Sequence, residues 1–140
     1  MNARQGNEQQ VSVRRERILE VLRGALTAEA VAQGATRRRA YRVTRHLLGG
    51  AVQSGLSRGY IAQQLGLNVS SMGSRITLDE IVPAAAFAEL ARIPVTQIAA
   101  WQTDGRITLR GPDAEGDYGY LAAELFAALA SHDHSQASVA

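Results

Sequence analysis

The stretch from Gly55 to Ile76, GLSRGYIAQQLGLNVSSMGSRI, constrains the fold of this 140-residue chain more than any other. Ile61 and Leu65 stand four apart, as do Met72 and Ile76, so each pair shares one face of a helical cylinder. Between the pairs lies Gly66-Leu67-Asn68. Glycine reaches positive φ without a Cβ penalty, and asparagine accepts hydrogen bonds from the first amides of a helix. The run therefore predicts a helix, a tight turn and a second helix. Ser57 is placed to cap the first helix, Ala62 is small where the helices must approach, and Leu67 plugs the corner. The residues left outside are polar or small: Val69, Ser70, Ser71, Gly73, Ser74 and Arg75.

The length fits one domain, or two very small ones sharing a core. With 46% apolar and 20% charged residues, the composition excludes wholesale disorder. The absence of cysteine excludes a disulfide scaffold and a thiolate metal site. No apolar run approaches the roughly 18 residues of a membrane span, and no charged-then-apolar leader is present. The expected compartment is the cytoplasm, with no membrane partner.

The net charge of +2 hides an asymmetry. Residues 1–76 carry twelve Arg against four Glu, a balance of +8, whereas residues 77–140 carry three Arg against nine acids, a balance of −6. A basic half draws in a polyanion and releases its counterions; an acidic half does so poorly. Every basic residue is Arg and none is Lys. Arginine forks phosphate and guanine edges, which points towards DNA, although a GC-rich coding sequence is another source of the bias.

Elsewhere the pattern is mostly helical. Residues 1–11 read as a disordered tail. From Ser12, the positions Ile18, Val21, Leu22, Ala25 and Leu26 make a stripe, with Gly24 and Thr27 as candidate breaks and Gly34 as a stop. Thr36 is the expected cap of a second helix whose apolar positions are Ala40, Tyr41, Val43, Leu47 and Leu48. Gly49-Gly50 should end or kink it. Thr77-Leu78-Asp79-Glu80 predicts a turn or a single helical turn, because Pro83 cannot sit deep in a helix. Two more short helices follow, from Pro83 to Ala91 and on to about Thr103, with Ile93-Pro94-Val95 between them. Residues 106–119 then alternate and turn like a hairpin. Leu121–Ala130 is a short apolar helix and 131–140 a disordered tail. The sign change near Thr77 marks the expected boundary between an N-terminal domain, 12–76, and a C-terminal domain, 77–130.

The run Gly55-Leu56-Ser57, Ile61-Ala62, Leu65-Gly66-Leu67, Ser71-Met72 and Ser74-Arg75-Ile76 resembles the helix-turn-helix of LuxR-type regulators and of sigma factor region four. That resemblance implies that Asn68–Ile76 lies in a DNA major groove. Val69, Ser70, Gly73 and Ser74 would then face base edges, Arg58, Ser71 and Arg75 would hold phosphates, and Asn68 belongs to the same DNA-binding set. Ala88-Glu89-Leu90-Ala91, Val95-Thr96, Ile98, Trp101, Gly105-Arg106-Ile107 and Tyr120 with Glu124-Leu125 resemble the winged helix-turn-helix of MerR-type regulators and excisionases. The implied contacts there are Thr96, Gln97, Gln102, Arg106 and Arg110, although Asp113, Glu115 and Asp117 replace the basic wing of that family. Arg37, Arg38, Arg39, Arg42 and Arg45 on the second helix complete the candidate DNA-binding set.

Catalytic machinery is not expected. No nucleophile–base pairing or phosphate-cradling glycine loop is present, and Gly49-Gly50 lacks a following Lys. His132-Asp133-His134 reads as a solvated tail and not as metal ligands, His46 as a helix-surface residue, and Trp101 as core. No cofactor and no metal are expected. The expected fold is mostly α, with tandem helix-turn-helix units, the second carrying a β-hairpin wing. The expected function is transcriptional regulation through double-stranded DNA, as a repressor, by a monomer or homodimer. The architecture resembles, weakly, the immunity repressors of temperate phages. Two alternatives stand: an interaction protein whose acidic half binds RNA polymerase or another protein, and a recombination directionality factor of the excisionase kind.

Overall fold

The computed structural model describes residues 3–77 and 80–139 of the chain, and the side chains of 3–10, 71, 74 and 137–139 lie outside that description. Two long helices, α1 (Ala3–Val31) and α2 (Gly34–Gln53), are followed by the short pair α3 (Arg58–Leu65) and α4 (Val69–Arg75). A two-residue strand, β1 (Ile81–Val82), leads into a second short pair, α5 (Ala84–Ala91) and α6 (Val95–Thr103). After an irregular segment the chain returns as β2 (Tyr120–Leu121) and closes with α7 (Ala122–Val139). The fold is mostly helical with one small antiparallel sheet, in which Ile81 pairs with Leu121 and Val82 with Tyr120.

Of the expected stripe on α1, Ile18, Val21, Leu22 and Ala25 are buried and Leu26 is half-buried, with Leu19 buried beside them. Neither Gly24 nor Thr27 breaks the helix, which runs on to Val31; packing on α2 and α5 outweighs two residues of poor propensity. On α2, Val43, Leu47, Leu48 and Ala51 are buried, and Thr44 is buried with its hydroxyl donating to the carbonyl of Ala40 at 2.9 Å. The cap of α2 is Gln33 and not Thr36, and Gly34 takes the positive φ of 60° that lets the chain turn between the helices.

Gly49-Gly50 does not end α2, which continues to Gln53. A Cβ at Gly50 would overlap the Ala122 side chain and crowd the backbone of Ala122 and Ala123. The glycine is therefore a site of close approach between α2 and α7. Gly119 serves the same purpose beside the sheet, since a Cβ there would overlap the carbonyl of Val82.

Two further expectations are corrected. The segment before Pro83 is strand β1 rather than helix or turn, paired across the chain with β2; Leu78 and Asp79 of the expected capping box lie outside the described residues. The expected tails are helical where described, since α1 begins at Ala3 and α7 runs to Val139. The end of α7 is tied down: Asp133 accepts from Arg17 at 3.0 Å, and the His132 ring meets Trp101 edge-on at 6.0 Å. Finally, one hydrophobic cluster joins Leu19, Leu48, Ile61 and Met72 to Phe87, Trp101, Leu125 and Leu129. The charge of the chain changes sign near Thr77, but its core is continuous across that point.

Candidate nucleic-acid interface

The pair α3–α4 follows from local chemistry. Ser57 Oγ accepts from the amide of Tyr60 at 3.1 Å and caps α3. Gly66 ends it at φ 68°, ψ 31°, with the amide of Leu67 donating to the carbonyl of Ala62 at 2.8 Å. Asn68 Oδ1 then accepts from the amide of Ser70 at 3.0 Å and opens α4. Ile61, Ala62 and Met72 are buried, with Leu65, Leu67 and Ile76 packed partly against them. The opposite face of α4 is open: Val69, Ser70 and Gly73 are exposed, Val69 by 57%, and no atom lies within 4 Å of a Cβ built at Gly73. The side chains of Ser71 and Ser74 lie outside the described residues. Arg58 is exposed at the first position of α3.

Arg75 is the exception on α4. Its Nη2 donates to Glu29 Oε2 of α1 at 2.8 Å, and its guanidinium lies 5.0 Å from the ring centre of Tyr41 on α2. The two side chains are only 21% and 13% exposed, so the pair is shielded and ties three helices together. The outward, phosphate-facing position expected for Arg75 is not the one it occupies. Arg45 is half-buried and also stacks on Tyr41, 5.7 Å from the ring centre.

The other α2 arginines divide. Arg37, Arg38 and Arg39 are exposed, with no ion pair among the described residues. They crowd the amino-terminal half of a helix whose first turn holds no acidic residue, where the helix dipole already repels cations. Arg42 instead forms an ion pair with Glu115, its Nη1 lying 2.8 Å from Oε1. Behind that bridge, His46 bonds through Nδ1 to the carbonyl of Ile81 at 2.9 Å, half-buried and not on the helix surface as expected. Burial pushes its imidazole below the ordinary 6.5; the Ile81 carbonyl and the Glu80 charge oppose that shift, and the Arg45 and Arg42 charges add to it.

The second short pair is built differently. Arg92 ends α5 in the left-handed region at φ 58°, a conformation that usually favours glycine, and Pro94 precedes α6. Phe87, Ala91, Ile98 and Trp101 are buried. Thr96 is exposed and Gln97 half-buried on α6. Gln102 is exposed but accepts a hydrogen bond from the Tyr120 hydroxyl. Past α6, Arg110 and Gly119 exchange both backbone hydrogen bonds, at 2.9 and 3.0 Å, and Arg106 is exposed without an ion pair among the described residues. Arg110 also donates to Glu124 Oε2 at 3.1 Å. Asp113 Oδ1 accepts from the amides of Glu115 and Asp117, each at 2.9 Å, and knots the loop between Arg110 and Gly119. The Asp117 amide, then that of Glu115 and the Arg42 charge, hold the Asp113 carboxyl below its ordinary value.

Sequence reasoning passed over two features beside α3. Arg15 stacks over Tyr60 at 5.7 Å, and Arg14 and Arg15 line a notch with Ser54, Gly55 and Leu56. Their one legible signal was that both lie off the buried stripe of α1. No described helix is long and apolar enough to cross a membrane. No family model matches the chain, and neither a curated protein nor a solved structure matches it.

Proposed function

We propose that the chain is a sequence-specific double-stranded DNA-binding regulator of transcription, acting as a repressor, with α3–α4 as a helix-turn-helix. The observation that carries this reading is the open face of α4. Val69, Ser70 and Gly73 are exposed and uncharged on a helix whose opposite side is anchored by Met72 and by the Arg75–Glu29 pair. An anchored helix with a small, uncharged outer face fits closely into a major groove. The arginines at 37, 38, 39 and 58 supply the charge that draws a duplex in. With no long side chain at Ser70 or Gly73, part of the selectivity would come from DNA shape.

In this reading α5–α6 and the segment 107–119 form a second, winged helix-turn-helix, with Thr96, Gln97 and Arg106 free to touch DNA. One set of observations favours a different role for that half. Arg110 is engaged by Glu124, Asp113, Glu115 and Asp117 occupy the loop, and Leu109 and Tyr118 are 47% and 56% exposed. An acidic loop flanked by exposed apolar side chains suits a protein partner such as RNA polymerase better than a phosphate backbone.

The test is selection of bound duplexes from a random-sequence library by the full-length chain, followed by footprinting across a salt series. A recovered motif, bound with strong salt dependence, is the expected outcome. Recovery of unrelated sequences, with co-purification of polymerase, would replace the regulator by the interaction protein.

A further inference from the structure

We propose that Arg14 and Arg15, with the notch they form against residues 54–56, hold a backbone phosphate of the duplex at the amino end of α3. The inference rests on the DNA reading above and adds to it a contact on α1.

The notch is a cavity of about 160 Å³ lined by Val11, Arg14, Arg15, Ile18, Ser54, Gly55 and Leu56. That volume has room for a phosphate and accompanying waters, each of which takes roughly 30 Å³. Its lining includes two arginines and no acidic residue. The nearest acid in sequence, Glu16, is paired with Arg23 at 3.1 Å. The Arg15 guanidinium stacks over Tyr60 at 5.7 Å, which restricts where its fork points and lowers the entropy cost of binding. Tyr60 belongs to α3, so the stack fixes Arg15 relative to the same helix pair that carries the open face of α4.

The start of α3 adds to this. Ser57 takes the amides of Tyr60 and Ile61 through its side chain and carbonyl, leaving those of Arg58 and Gly59 without an intrahelical partner. Arg58 is exposed there, and Gly59 leaves open space where a Cβ would sit. Arg14 and Arg15 of α1 line the notch, Arg58 opens α3, and no acid is among the residues lining the notch. A phosphodiester group, which carries a single negative charge and accepts forked donors, matches this arrangement.

The test uses the full-length chain, the duplex selected from the random library, and a scrambled duplex of equal length. Replacing both residues (R14Q with R15Q) should flatten the dependence of log K on log salt by about 0.9, the value for one phosphate no longer neutralised. Selected and scrambled duplexes should weaken alike. One flanking phosphate whose ethylation blocks wild-type binding should cease to matter. R92Q removes an exposed charge elsewhere and should leave slope and pattern intact. R14K with R15K keeps the charge and should keep most of the slope, and R14Q alone covers the case in which removing the Tyr60 stack destabilises the fold. If the wild type binds its selected duplex and the glutamine variants keep its slope and interference pattern, the notch is not a phosphate site. If the wild type binds no duplex in a salt-dependent way, the DNA reading itself falls, and this inference with it.

Discussion

Two glycines inside helices make opposite predictions from the same substitution. In an isolated helix, Gly→Ala gains about 0.5–1 kcal/mol, because alanine loses less backbone entropy on folding. Gly73 meets that condition: it is exposed on α4 and has open space where the methyl would go. Gly73→Ala should therefore raise the melting temperature by roughly 2–4 °C for a chain of this size. Gly50 does not meet it. The methyl would overlap the Ala122 side chain and sit 3.0 Å from backbone atoms of Ala122 and Ala123, which belong to α7 and cannot rotate away. Overpacking of this kind costs about 1–3 kcal/mol, and the upper end applies where backbone must move. Less the helix gain of about 1 kcal/mol, Gly50→Ala should cost roughly 2 kcal/mol and lower the melting temperature by about 6–8 °C. Thermal and urea unfolding of both variants, with circular dichroism as the readout, decides the matter. A Gly50→Ala protein as stable as Gly73→Ala would refute the close crossing of α2 and α7. The Gly73 variant carries a second reading: if α4 enters a groove, a stabilised protein should nonetheless bind its selected duplex less well.

Gly66→Val places a β-branched residue at φ 68° and should cost at least about 1 kcal/mol, whereas Gly66→Asn should cost less. Equal drops in the two melting curves would show that the left-handed turn is not the constraint. His46 is held below 6.5 by burial, so the unfolded chain binds the extra proton first as pH falls. Stability from this residue is complete above about pH 6.5 and is lost as pH drops through the folded value; His46→Gln should flatten that part of the curve, and parallel curves would count against it. Glu29→Gln and Arg75→Ala should each lower stability by roughly 1–2 kcal/mol, a partly shielded pair lying between exposed and buried ones. A fall of about one unit in the salt slope of Arg75→Ala at unchanged melting would instead restore a phosphate-holding Arg75.

What was legible in the sequence was governed by short-range rules. The caps at Ser57 and Asn68 and the left-handed Gly66 need only a few neighbouring residues, and all three occur. The burial of Ile61 and Met72 likewise follows from helical spacing, and Trp101 lies in the core. The misreadings share a different cause. Gly50 is a poor helix former locally, but its use is set by Ala122, far along the chain. Strand β1 is two residues long and exists only because Tyr120 and Leu121 return beside it. Arg75 carries the outward signature of a surface arginine, yet Glu29 and Tyr41, from two other helices, close over it. His46 has the signature of a surface residue, and its partner, the Ile81 carbonyl, comes from β1. In each case the deciding atom belongs to a distant element, where periodicity carries no information.

The same distinction governs how the two halves of the chain depend on each other. Charge divides them near Thr77, but α2 packs on α7, α1 packs on α5, and one apolar cluster spans both. Specific charge contacts also cross the divide: Arg17 with Asp133, and Arg42 with Glu115. The acidic half therefore acts on the basic half at two levels. It completes the core against which α3–α4 are set, and it supplies carboxylates that already occupy some of the arginines. Arg37, Arg38, Arg39, Arg58, Arg14 and Arg15 escape that neutralisation among the described residues, whereas Arg17 and Arg42 do not. The formal +8 of residues 1–76 thus overstates the charge free to meet a polyanion. Cutting the chain at the charge boundary would free Arg17 and Arg42 while exposing the face of α2 that α7 covers. Gain in electrostatic attraction and loss of folding would arrive together, so the basic half is better understood as one face of a single core than as a separable module.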